Sequence, residues 1–220
     1  MKRIAEGFLQ DWLKKKHRKP LLLRGARQVG KSTLVRQFAE NYQLNLIEVN
    51  LEKTQISSFK KSKNILSIIQ EIEIHTRKSF NQKNILLFID EIQACPEAIA
   101  MLRYFYESHP EIPVIAAGSL LEFVLRDHEF SMPVGRVEFF NLGPMTFKEY
   151  LWAIGEDNLV LALDQNPKSA SAIFHAKLKT HLNEFYFLGG MPEVIKVFLE
   201  RKSFLQAREI HRSLMETYFH

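Results

Sequence analysis

Gly25, Gly30, Lys31 and Ser32 fall at the spacing G-x-x-x-x-G-K-S in the stretch Gly25-Ala26-Arg27-Gln28-Val29-Gly30-Lys31-Ser32. Each residue type suits the capture of a polyphosphate. The glycines let the backbone curl around an anion with its N–H groups pointing inward. Lys31 supplies a cation for the β- and γ-phosphates, and the Ser32 hydroxyl can ligate Mg²⁺. With Thr33, the whole run Gly25–Thr33 is the expected phosphate contact. A second group, Asp90-Glu91, closes the apolar run Ile85-Leu86-Leu87-Phe88-Ile89. An aspartate there can hold Mg²⁺ through water, and the adjacent glutamate can orient or deprotonate an attacking water. Ser119 ends a further apolar run. It can hydrogen-bond that water or the γ-phosphate, or equally cap the helix expected over residues 120–125.

These side chains meet only if particular elements carry them. Leu21-Leu22-Leu23 reads as a buried strand before the glycine loop, and Leu34, Phe38 and Tyr42 keep helical spacing after it. Ile85–Ile89 is apolar throughout, as expected of a strand buried on both faces in a parallel sheet. Leu44–Val49, Pro113–Ala117 and Gly135–Phe140 supply the other strands. Helices are expected over residues 2–16, over 65–80 and from Pro96 onward, with residues 50–62 irregular. Thr146 and Glu149 stand at the spacing of a capping box for a helix through Trp152. Strand signals stop after Gly155. Beyond it, residues 171–188, the stretch opened by Pro192 and the final segment 204–219 read as helices, with Gly189-Gly190 reversing the chain.

Composition sets the outer limits. The chain has 220 residues, 46% of them apolar and 25% charged, with seventeen phenylalanines to fill a core. That is room for one domain and a small second one. Cys95 is the only cysteine, so it forms no intrachain disulfide and suits a reducing compartment. It has no histidine nearby in sequence to activate it and reads as packing. No apolar run approaches a membrane span, the first twelve residues lack a signal-peptide core, and the expected location is cytoplasmic. The net charge of +5 is concentrated in Lys14-Lys15-Lys16-His17-Arg18-Lys19. Such a run can touch nucleic acid or acidic lipid, but it reads first as a solvated helix end. His75, His109, His128 and His211 show no metal-ligand spacing and read as surface or cap residues.

Taken together, Leu21–Thr33, Leu86–Gln93, Ala117–Phe123, Gly135–Tyr150 and Gly189–Val194 resemble a family of prokaryotic AAA-type ATPases. That family is related to archaeal ATPases and the signal-transducing P-loop NTPases, and its members usually carry an uncharacterised C-terminal domain. The resemblance spans nearly the whole chain. The expected fold is α/β of the P-loop NTPase type, three layers about a central parallel sheet, followed by a small helical lid, and the resemblance implies an inserted strand between the loop and the acidic strand. It also implies Glu91 as catalytic glutamate, Ser119 as the sensor position and Arg136 as an arginine that senses the γ-phosphate. Family members commonly have proline in place of Ala26, and they usually continue past the point where this chain stops, near Glu216-Thr217-Tyr218.

The expected organisation is therefore an amphipathic helix over residues 1–16, an ATPase core over 17–155 and a helical region over 156–220 that leads into a truncated or absent C-terminal part. The expected function is binding of ATP with Mg²⁺ and hydrolysis coupled to a conformational switch. Lys31, Glu91, Ser119 and Arg136 are the expected catalytic residues, and Ser32 and Asp90 the metal ligands. Expected partners are a second copy of the chain, or a DNA or protein partner reached through a further domain. The main alternative is a nucleotide-gated binding module that hardly turns over. A small-molecule kinase fits less well, because Glu91 favours activation of water over transfer.

Overall fold

The computed structural model describes residues 1–61, 64–119, 135–165 and 171–219. The chain divides into two compact units, Ala5–Leu142 and Met1–Ile4 together with Gly143–His220. The composition change at Gly155 falls inside the second of these.

The first unit opens with α1, Ala5–Lys14, which buries Ala5, Leu9 and Trp12 along one face. It is shorter than the apolar stripe suggests. Residues 1–4 belong to the other unit, and beyond Lys14 the chain turns, with the Lys15 Nζ 2.6 Å from the Glu138 carboxylate. The indole of Trp12 donates to the Lys19 carbonyl at 2.8 Å, and the Arg18 guanidinium donates to the Leu13 carbonyl at 2.7 Å. Lys15 and Arg18 of the basic run are thus engaged locally.

Strand β1, Leu21–Arg24, leads into the glycine loop, and α2, Lys31–Asn41, leaves it. β2 spans Asn45–Asn50 and the short helix α3 spans Ser58–Lys61. The region expected to be irregular is therefore partly ordered. Ile56 and Phe59 are buried beneath it, and the Ser57 and Ser58 amides donate to the Glu71 carboxylate at 2.8 Å each. Glu71 lies on α4, Ile65–Thr76, which the Asn64 side chain caps. That helix ends four residues before the periodicity does, because Arg77 takes a left-handed conformation (φ 55°) and the Ser79 hydroxyl and Phe80 amide turn back onto Glu73.

β3, Ile85–Asp90, is followed by a 3₁₀ turn at Ile92–Ala94 and by α5, Pro96–Ser108. β4 is Val114–Ala117 and β5 is Glu138–Asn141. β5 begins later than its apolar pattern suggests. Gly135 has a φ of 73°, outside the strand region, and the ladder to β1 starts only where Glu138 pairs with Leu21. The helix expected over 120–125 and His128 lie outside the described residues.

The five strands form one sheet in the order β2-β3-β4-β1-β5, and every pairing is parallel. Parallel strands covered by helices on their faces must be apolar throughout, and Leu21–Leu23 and Leu86–Ile89 are fully buried. This is the α/β arrangement of a P-loop NTPase.

The second unit holds α6, Phe147–Ala153, α7, Asp157–Gln165, α8, Ala172–Leu188, α9, Pro192–Arg201, and α10, Phe204–Phe219. Its core gathers Met145, Tyr150, Leu188, Val194, Ile195 and Leu214. Thr146 and Glu149 complete the capping box at the start of α6. Glu149 is only 3% exposed, and its carboxylate also accepts from the Arg3 guanidinium at 3.1 Å and from the Ile4 amide at 2.7 Å. Arg3 in turn donates to the Gly143 carbonyl at 2.7 Å. At Gly190 a Cβ would collide with the Met145 carbonyl, so the chain reversal between α8 and α9 requires glycine.

Candidate nucleotide-binding site

Sheet order decides which residues meet. β1 lies next to β4, and β4 next to β3, so the loop after β1, Ser119 after β4 and Asp90-Glu91 after β3 all emerge at the carboxyl ends of neighbouring strands. In open α/β sheets this is the edge where ligands bind.

The loop is shaped by its own residues. Gly25 has a φ of 143°, and a Cβ there would run into the Leu142 carbonyl oxygen, so glycine is required. Gln28 and Gly30 also have positive φ, 63° and 92°, while Val29 is fully buried and pins the loop to the core. Gly30 caps α2 without any side-chain bond, and the first turn carries no acidic residue. The N–H groups and positive dipole end of α2 therefore face the loop with no carboxylate of the helix to neutralise them.

Lys31 is only 8% exposed. Its ammonium donates to the Gly25 and Ala26 carbonyls at 2.9 and 2.8 Å, holding the mouth of the loop closed on itself. Burial lowers its pKa. Glu91 and then Asp90 oppose that fall, and Arg27 adds to it. Asp90 is 4% exposed. Burial raises its pKa, offset in part by a hydrogen bond from the Ser32 hydroxyl, with the Glu91 charge raising it further. The Glu91 amide donates to the Asp90 carboxylate at 3.1 Å, and Glu91 itself takes a left-handed conformation with φ 51°. A non-glycine residue held there stores strain of the kind that collects at functional sites.

Ser119 is 3% exposed and accepts from the Arg27 Nε at 3.5 Å. A buried cation held by carbonyls, a row of helix amides and a serine–aspartate pair together suit a polyphosphate with a divalent cation. Ser32 and Asp90 are the residues that would ligate the metal.

Arg136 stands elsewhere. β5 runs parallel to β1, and Arg136 precedes its first residue, so it lies at the amino ends of the strands. The glycine loop follows the carboxyl end of β1, about 13 Å away along a four-residue strand. There Arg136 pairs with Glu107 near the end of α5, which Arg103 also approaches at 3.6 Å. The expectation that Arg136 senses the γ-phosphate therefore does not hold within its own chain, because the sheet separates the two.

One neighbour of the site was not anticipated from sequence. Gln93 Nε2 donates to Glu91 Oε2 at 2.6 Å from the 3₁₀ turn. Only its position two residues after Glu91 could have signalled it. Cys95 is buried, its thiol lies 3.4 Å from the Glu97 carboxylate, and burial followed by Glu97 pushes its pKa up to about 11. It stays a protonated packing residue. His109 pairs with Glu111 at 2.9 Å, and His211 bonds the Leu188 carbonyl at 2.8 Å.

No curated protein matches the chain. Among solved structures 681 chains are similar, so the likeness speaks for a widespread fold and not for one relative. One of them, in a structure of Drosophila ORC bound to DNA, is 15% identical with a TM-score of 0.47; the match covers 96% of this chain but only 66% of that one. At the level of families the match is to the AAA domain, over residues 17–151. Those residues contain the loop, both carboxylates and the whole parallel sheet, and the chain belongs to the AAA domain family.

Proposed function

We propose that this protein binds ATP with Mg²⁺ and hydrolyses it to ADP and phosphate, using the reaction to switch conformation. The observation that carries the reading is the Asp90-Glu91 pair at the end of β3, which the sheet order sets at the same edge as the glycine loop and its buried Lys31, with the Ser32 hydroxyl on Asp90. The loop amides and Lys31 bind and orient the triphosphate. Ser32 and Asp90 would hold Mg²⁺, which would supply positive charge to the triphosphate. Glu91 takes a proton from a water whose oxygen attacks the γ-phosphorus, and the bond to the bridging oxygen breaks with its electrons leaving on ADP. Ser119 orients the water or the γ-phosphate from the end of β4.

The test is Glu91→Gln, which keeps shape and removes the base. Phosphate release should fall by about 10²–10⁴-fold, the usual worth of a positioned base, with ATP affinity little changed. Equal rates in the two proteins would replace this reading with a nucleotide-gated binder that recruits DNA or a protein without turnover.

A further inference from the structure

Gln93 has a place in the site that the roles above leave unused. Its side chain reaches back two residues, and Nε2 donates to Glu91 Oε2 at 2.6 Å. The other end of the same amide, Oε1, is buried and has no hydrogen-bond partner among the described residues. Turning the amide over would set this oxygen against the Glu91 carboxylate, two acceptors facing each other. Its orientation is therefore dictated by Glu91, with the charge-assisted bond offsetting the orphaned acceptor.

The backbone reinforces the pairing. The 3₁₀ turn Ile92–Ala94 is closed by the Ala94 amide on the Glu91 carbonyl at 3.0 Å, and Ile92 is fully buried. Gln93 thus starts from a fixed point. Glu91 emerges from a left-handed residue whose amide is tied to Asp90. Donor and acceptor are both built on rigid anchors, which is what holds a catalytic group to a narrow geometry.

We infer that Gln93 is a positioning residue for hydrolysis: its amide fixes the Glu91 carboxylate in the orientation from which it takes a proton from water. This rests on the hydrolytic reading of Glu91. The amide touches neither nucleotide nor water in this scheme, so its removal should lower kcat and leave KM and nucleotide binding alone.

The experiment measures phosphate release at saturating ATP and ATP-induced thermal stabilisation for the wild type, Glu91→Gln, Gln93→Met, Gln93→Ala and the double variant Glu91→Gln/Gln93→Met. Met keeps the bulk of the side chain and loses the donor; Ala shows that any effect does not come from the thioether. The expected result is a fall in kcat of about 10- to 100-fold for both Gln93 variants, the usual cost of losing a supporting partner. KM and ATP-induced stabilisation should not change. In the Glu91→Gln background, the Gln93 change should cost nothing further in single-turnover rate, since the group it positions is already gone. A merely structural glutamine would lower the rate by the same factor in both backgrounds, and that result overturns the inference. An unchanged or raised kcat in Gln93→Met while Glu91→Gln is inactive overturns it too, and leaves the role of Glu91 standing. If Glu91→Gln matches the wild type, the hydrolytic reading and this inference fall together.

Discussion

The Asp90 carboxylate is buried beside the glycine loop, and burial raises its pKa above the ordinary aspartate range despite the Ser32 hydroxyl. A charge that would bind a metal thus weighs against the stability of the nucleotide-free fold. Asp90→Asn tests that conflict. An asparagine carbonyl can still accept from the Ser32 hydroxyl and the Glu91 amide, while the buried charge is gone. The melting temperature of the nucleotide-free protein should rise. The extra stabilisation that Mg²⁺ gives in the presence of ATP should disappear. Thermal melts with and without Mg²⁺·ATP measure both, and a variant that keeps its Mg²⁺ dependence would remove Asp90 from the metal site. The place of Lys31 and Ser32 at the start of α2, and of Asp90 at the end of β3, was legible in sequence, because each follows from residue type at fixed spacing or at the close of an apolar run. Gln93 was not, since a glutamine in a turn carries no signal until its rotamer is seen. Arg136 was misplaced for the opposite reason. The resemblance to a sensing arginine competed with a signal the sequence did carry: Arg136 stands at the start of a strand, and the starts of parallel strands lie at the edge opposite the glycine loop.

At the scale of elements, Glu71 clasps α3 to α4. Burial alone would raise its pKa, but hydrogen bonds from Ser58 and Ser57 outweigh that and bring it down from the ordinary 4.5 to about 2. A depressed carboxyl stabilises the fold above its unfolded pKa and loses that contribution as pH falls through the folded value. Glu71→Gln should therefore lower the melting temperature at neutral pH, and the gap to the wild type should narrow as pH falls from about 4.5 towards 2. A gap independent of pH would assign the effect to packing. This clasp also explains why α3 escaped the sequence. Its four residues have no periodicity of their own, and it is ordered by a carboxylate from the next helix. The long elements were legible for the converse reason. Leu86–Ile89 and the α2 stripe of Leu34, Val35 and Phe38 announce their environment by pattern alone.

At the scale of the whole molecule, a second copy of the chain is the proposed target of Arg136, which its own sheet sets away from the glycine loop. If copies associate so that Arg136 of one approaches the phosphates of the next, Arg136→Ala should slow turnover without weakening nucleotide binding by the isolated chain. Mixing Arg136→Ala with Lys31→Ala protein should then restore activity, since one kind of mixed site has both residues. No recovery on mixing, measured as phosphate release against total protein, would confine Arg136 to its surface pair with Glu107. The general fold was readable at this scale from the alternation of strands and helices. The way the chain is shared between its two units was not, because nothing in Met1–Ile4 announces that it belongs with residues after 143.

That sharing makes the ATPase core an insertion. Followed along the chain, the second unit begins with Met1–Ile4, is interrupted by everything from Ala5 to Leu142, and resumes at Gly143. Its buried Glu149 carboxylate is matched by Arg3, a cation from the far side of the interruption. The two parts are therefore not separable by a single cut. A piece beginning at Gly143 would retain the Glu149 carboxylate of the capping box but leave behind the guanidinium that neutralises it. To fold as it does here, it would need the first four residues joined to it by a short bridge in place of the core.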